Sequence, residues 1–187
     1  MKFYSVDRGR KYASGKTLEL QPFRFWSRSN TIGHIQAHSP LLDYAQTKFS
    51  NGISQFGLNY SSMVDSRVCD NNSLNIDLLL ELTRLAYFPQ KPSRLQSIFA
   101  CETLKEAAHF RGESKISVDT PIYEINCEKS IVHRGDMALF WTGCTAIEVE
   151  YRLHLYWEGK TDTTLVREAK WEIVIPLPVQ IGQKVEE

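Results

Sequence analysis

The sequence lacks any paired cysteine motif: Cys69, Cys101, Cys127 and Cys144 are its four cysteines, widely spaced and with no C-x-x-C pair. A disulfide scaffold or a zinc framework is therefore not expected, and a reducing compartment is the default. No run approaches the ~20 apolar residues that a membrane-spanning helix needs. Met1-Lys2 leads straight into strand-like Phe3-Tyr4-Ser5-Val6 instead of an apolar leader, so a soluble cytoplasmic protein is expected. An excess of charge of either sign is also missing, since Lys+Arg and Asp+Glu both total 22. That balance argues against a partner held mainly through phosphate neutralisation, such as duplex DNA, but not against a nucleic acid touched briefly as a substrate. Neither phosphate-cradling glycine loop occurs, and there is no G-x-S-x-G nucleophile elbow. His34 and His38 stand four apart, but Ile35 occupies the place of a zinc protease's glutamate, so no metal site is expected. His109, His133 and His154 are isolated, next to no cysteine or serine in a nucleophile pattern.

What is present is an ordinary globular composition, 42% hydrophobic and 24% charged over 187 residues, which is the length of one domain. Residues 3–6 alternate as a strand, and Leu18-Glu19-Leu20-Gln21 is a second extended piece stopped by Pro22. From Phe23 to Asn72 the pattern loosens into one helix after Ser39-Pro40, with Leu41, Leu42, Ala45 and Phe49 at helical spacing, followed by loops. Residues 74–86 place Leu78, Leu82 and Leu85 on one helical stripe and Asp77, Glu81 and Arg84 on another, which predicts an amphipathic helix packed through its leucines. Ser73 can cap that helix and Pro89 forbids its continuation. Ser97–Ala100 reads as a buried strand, and Thr103-Leu-Lys-Glu106 is a capping box opening a helix with Ala107, Ala108 and Phe110 turned inward. Ile122–Ile125 and Met137–Trp141 read as strands, and Arg134-Gly135-Asp136 as an ordinary turn. Residues 145–158 alternate strictly, which favours a strand, although Thr145-x-x-Glu148 also fits a capping box over a helical stripe. Trp171–Ile175 is a strand ended by Pro176-Leu-Pro178. Helices and strands mix without a βαβ rhythm, so the class is α+β.

Three separated pieces gain meaning together: Phe3-Tyr4-Ser5-Val6, then Pro92-Ser-Arg-Leu-Gln-Ser-Ile-Phe-Ala100, then Lys170-Trp-Glu-Ile-Val-Ile-Pro176. Their order and positions resemble the three signature strands of the ADP-ribosyltransferase superfamily, in particular bacterial and phage mono-ADP-ribosyltransferase-like domains that include many toxins. Glu172 directly precedes an apolar strand, as that family's catalytic glutamate does. Ala107-Ala108 resembles the helix that follows the family's serine-bearing strand, and Tyr156-Trp157-Glu158-Gly159 resembles an element of small relatives. The resemblance implies two small sheets with flanking helices around an NAD cleft, with residues 23–72 as a less regular insert in a single domain over 1–187. It further implies transfer of ADP-ribose to a macromolecular acceptor, protein or nucleic acid. The family's first strand carries Arg or His where this chain has Tyr4-Ser5, so Arg8 or Arg94 would supply the cofactor clamp. Lys170 stands where arginine-modifying members carry a second Glu, which points to a different acceptor.

The chemistry accounts for these residue types. Cleavage of the nicotinamide–ribose bond passes through an oxocarbenium-like state, the charge problem that glycosidases solve with carboxylates. Glu172 would accept the ribose 2′-OH and stabilise that charge. Ser97 would orient it, Tyr4, Phe99 or Trp26 would stack on nicotinamide, and an arginine would grip the pyrophosphate. Two alternatives stay open: a catalytically inactive relative that binds, and an unrelated α+β interaction protein in which the three pieces lie apart.

Overall fold

The computed structural model describes residues 1–24, 40–62, 71–114, 116–128 and 131–185. Trp26, His34, His38 and Cys69 lie outside the described residues. Among the described residues the architecture is α+β, with five α-helices and two small antiparallel sheets. The strands are β1 (Lys2–Val6), β2 (Thr17–Leu18), β3 (Ser97–Ala100), β4 (Ile122–Asn126), β5 (His133–Asp136), β6 (Trp171–Pro176) and β7 (Val179–Val185). The helices are α1 (Pro40–Lys48), α2 (Gln55–Ser62), α3 (Asn71–Tyr87), α4 (Leu104–Glu113) and α5 (Ala146–Glu158). One sheet runs β1-β4-β7-β2 and the other β3-β6-β5. They meet at a corner where Tyr4 and Cys101 exchange backbone hydrogen bonds of 3.0 and 2.7 Å. Among the described residues no helix is long and apolar enough to cross a membrane. No disulfide joins Cys101, Cys127 and Cys144.

Strand β6 explains where the core sits. Its residues 172–175 are all buried, because both faces of this central strand are covered. The pleat sends Ile173 and Ile175 toward Phe3, Ile98, Ile125 and Ile181, between the two sheets. It sends Val174 the other way, into a cluster with Ile76 and Leu80 of α3 and Leu153, Tyr156 and Trp157 of α5. Glu172, two residues before Val174, shares that second face and is drawn inward with it.

Several local expectations require correction. Residues 145–158 form a helix: Thr145 caps the Glu148 amide, Gly159 ends the helix in the left-handed conformation, and Leu153, Tyr156 and Trp157 are buried together. The alternation that favoured a strand counted Ile147 and Tyr151, which are solvent-exposed. In α3 the buried face is Ile76, Asp77, Leu80, Glu81 and Arg84, while Leu78, Leu82 and Leu85 are about half exposed at 52, 50 and 50%. The polar face wins because it has fixed partners: Arg84 donates to Glu81 at 2.8 Å and to the Lys91 carbonyl at 3.1 Å, and Ser93 donates to Glu81 at 3.0 Å. The helix begins at Asn71, so Ser73 stands inside it and not ahead of it. Arg134-Gly135-Asp136 is no turn but the body of β5, and Met137–Leu139 is a 3-10 turn capped by Asp136 instead of a strand. Helix α2 and strand β7 carry no strong signal in the sequence, being short, polar-rich or set behind prolines.

Helix α2 is seated against the chain at Leu95. A Cβ on Gly57 would lie 2.1 Å from the Leu95 carbonyl oxygen and 2.7 Å from Ile53 Cγ1, so nothing larger than hydrogen fits. Gly57→Ala is expected to destabilise the fold by about 2 kcal/mol, within the usual range for overpacking. Thermal melting should register this as a fall of roughly 5 °C, and an unchanged melting temperature would contradict the packing described.

Candidate functional site

The two sheets, with α2, α3 and α4, wall a cavity of about 520 Å³, well inside the range of roughly 300–1,000 Å³ common for ligand pockets. Six of the residues singled out in the sequence stand in its wall: Tyr4, Ser5, Arg8, Arg94, Phe99 and Glu172. Register brings them together, since β3 pairs with β6 from Ser97↔Pro176 to Ala100↔Ile173 and β1 bridges to the end of β3.

At the deep end the Arg94 guanidinium is enclosed. Its Nε donates to Asp77 at 3.0 Å, and its Nη1 donates to the Tyr156 hydroxyl at 2.7 Å and to Glu172. The Tyr156 hydroxyl in turn donates to Glu172 Oε1 at 2.8 Å. Phe99 lies 4.5 Å and Phe140 5.0 Å from the guanidinium carbon. These rings add cation–π attraction where water is excluded. The local charges are two carboxylates against one guanidinium. Burial raises the pKa of both carboxyls: Glu172 stands above its usual value despite Arg94, and so does Asp77. Burial and the anionic neighbour Glu172 weigh oppositely on Arg94, which ends well above an ordinary arginine, so it stays charged.

Other expected site residues take simpler places. Ser5 is buried and donates its hydroxyl to the Phe99 carbonyl at 2.7 Å, tying β1 to β3. Arg8 is exposed at the rim, 5.8 Å from the Phe110 ring. Tyr4 and Phe99 are half-buried in the wall. Ser97 is a correction: it is fully buried, outside the cavity lining, and donates to the Ser93 carbonyl at 2.6 Å. It pairs with Pro176, four residues past Glu172, so it does not touch the carboxylate it was expected to orient. Arg94 directs its Nε to Asp77 and its Nη1 to Tyr156 and Glu172.

Asp77, Tyr156, Phe56 and Phe140 belong to the site and were not legible in the sequence. The sequence places Asp77 on a face of α3 other than its leucine stripe, and Tyr156 in a segment whose alternation favours a strand. Phe56 lies on the unanticipated α2, its ring 4.5 Å from that of Phe99. Cys101, also in the wall, is held in the thiol form, because burial, Glu106 and Glu172 push it up to about 12.

A sequence profile described as "Protein of unknown function (DUF2441)" matches residues 3–187. The chain belongs to the DUF2441 family. No curated protein matches the sequence. Nearly the whole chain is covered by the DUF2441 match, so both sheets and every cavity residue named above fall within the family's extent.

Proposed function

We propose that this DUF2441 protein is an ADP-ribosyltransferase-type enzyme that binds NAD in the cavity and transfers ADP-ribose to a macromolecular acceptor. The observation that carries the reading is the convergence of β1, β3 and β6, the strands bearing the three motifs, on one cavity with Glu172 in its wall. A deep end with two carboxylates, one guanidinium and several aromatic rings suits a ligand that carries and then redistributes positive charge. Nicotinamide in NAD is a cationic ring, and the ribose becomes oxocarbenium-like as it leaves.

In this reading Phe99 and Tyr4 stack on nicotinamide, and Glu172 accepts the ribose 2′-OH. The ribose–nicotinamide C–N bond breaks with its electron pair leaving on neutral nicotinamide. A lone pair of the acceptor forms the new bond to the same ribose carbon, and the acceptor's proton passes to water. Arg8 at the rim meets the pyrophosphate through its two-pronged donor face. Lys170, two residues ahead of Glu172, is directed to Glu113 at 3.1 Å, so the site lacks the second glutamate of arginine-modifying relatives and an acceptor other than arginine is expected.

Arg8→Gln should raise KM for NAD by about 10-fold with kcat nearly unchanged, the pattern of a contact made equally in ground and transition states. Steady-state kinetics reads this directly, and a fall confined to kcat would remove Arg8 from the clamp. A second reading, binding without catalysis, draws on the Arg94–Glu172 ion pair, which neutralises the carboxylate. Calorimetric titration with NAD, alongside nicotinamide release in the presence of whole-cell extract, separates the readings. Heat with release supports the transferase, heat without release supports the binder, and neither signal overturns both.

A further inference from the structure

We infer that Tyr156, seated by Gly135, is a positioning residue for Glu172 and acts with Asp77 to hold the Arg94–Glu172 pair in one orientation; this rests on the reading of Glu172 as the reacting carboxylate. Arginine only donates hydrogen bonds and a hydroxyl has one proton. The Tyr156 oxygen therefore accepts from Arg94 and must direct its proton to Glu172 Oε1, at 2.7 and 2.8 Å. The carboxylate is thus turned by a donor whose own direction is not free. The ring cannot swing, since it is fully buried between His133, Phe140 and Trp157 at 5.0–5.1 Å.

Gly135 permits this seat. It pairs with Glu172 across β5–β6, and a Cβ there would meet the Tyr156 ring at 2.1 Å. The glycine and the glutamate are opposite each other, so any side chain at 135 would push the hydroxyl off the carboxylate. Asp77 completes the arrangement from α3 by fixing Nε of the same guanidinium.

The ionisable groups facing Glu172 are Arg94 ahead of β3, Asp77 of α3, Tyr156 of α5 and Cys101 just past β3. His133 of β5 lies behind the Tyr156 ring and is neutral, pushed down to about 3 mainly by burial. The Tyr156 hydrogen bond lowers the Glu172 pKa and the Asp77 charge raises it. Loss of each partner therefore moves the carboxylate in opposite directions, which a purely structural role would not do.

The test compares wild type, Tyr156→Phe and Asp77→Asn for nicotinamide release against pH, and follows the Glu172 carboxyl by carbon-13 NMR. Tyr156→Phe keeps the ring and is expected to lower kcat roughly 10- to 100-fold with KM for NAD little changed. The acid limb of its profile should move to higher pH, and that of Asp77→Asn to lower pH. An unmoved acid limb with unchanged kcat in a folded Tyr156→Phe protein overturns the inference. If wild type releases no nicotinamide, the transferase reading fails, while the NMR titration still decides the positioning. Opposite displacements in the two variants support it, and a titration unmoved in Tyr156→Phe overturns it.

Discussion

Arg94→Met is expected to cost about 3–5 kcal/mol of folding stability, the range found when one partner of a buried ion pair is removed. Methionine retains an apolar stem to pack against Phe56, Phe99 and Phe140, so the loss is chiefly electrostatic. It leaves Asp77 and Glu172 in one buried site with no cation between them. For a chain of this size the melting temperature should fall by about 10 °C or more. The pH dependence follows from both carboxyls already lying above their ordinary values of 3.8 and 4.5 in the folded state. A carboxyl raised on folding contributes stability in its protonated form, present in full below the unfolded pKa and lost as pH rises through the folded one. Without Arg94 both folded values rise further, so the deficit of the variant relative to wild type should shrink on acidification from neutral pH toward 4.5. Melting curves across that range check the sign. A deficit that grows on acidification would mean that the two carboxyls are not held by Arg94 in the way described.

Glu172→Gln should behave in the opposite way with respect to stability and far more severely with respect to activity. The amide keeps the volume of the side chain and can still accept from Tyr156, while the site changes from two carboxylates and one guanidinium to a single Asp77–Arg94 pair. The fold should therefore persist, with a melting temperature equal to or above that of wild type. Nicotinamide release should drop on the order of 10²- to 10³-fold, the loss expected when one preorganised electrostatic contact to a developing charge is removed. The two measurements belong together: a collapsed fold would make the activity loss uninformative, whereas a stable protein that still releases nicotinamide would remove Glu172 from the chemistry.

Parts of this arrangement were legible from local chemistry. Strands β1, β3 and β6 announced themselves by alternation or by apolar runs bounded by prolines, and the capping box at Thr103–Glu106 formed with both of its reciprocal hydrogen bonds. Such signals are contained within a few residues, so no knowledge of the rest of the chain is needed. Glu172 is singled out differently, by the resemblance of its strand to a signature strand of the ADP-ribosyltransferase superfamily and not by local chemistry. Position alone, however, does not say whether a glutamate beside Trp171 points to water.

Tertiary structure decided the rest. Residues 145–158 carry both helical and strand periodicity, and only the burial of Tyr156 and Trp157 against α3 and β5 selects the helix. The leucine stripe of α3 predicts one buried face, yet Asp77, Glu81 and Arg84 turn inward because their partners, Arg94, Ser93 and the Pro89 and Lys91 carbonyls, fold back onto that face from the segment that follows the helix. Gly135 reads as part of a turn until the Tyr156 ring is seen resting on it. The length, the balanced charge, the α+β class and four of the strands, β1, β3, β4 and β6, follow from the sequence alone. The burial of the Glu172–Arg94–Asp77–Tyr156 cluster was determined only in three dimensions, because the worth of a charge depends on which opposite charge and how little water the fold brings to it.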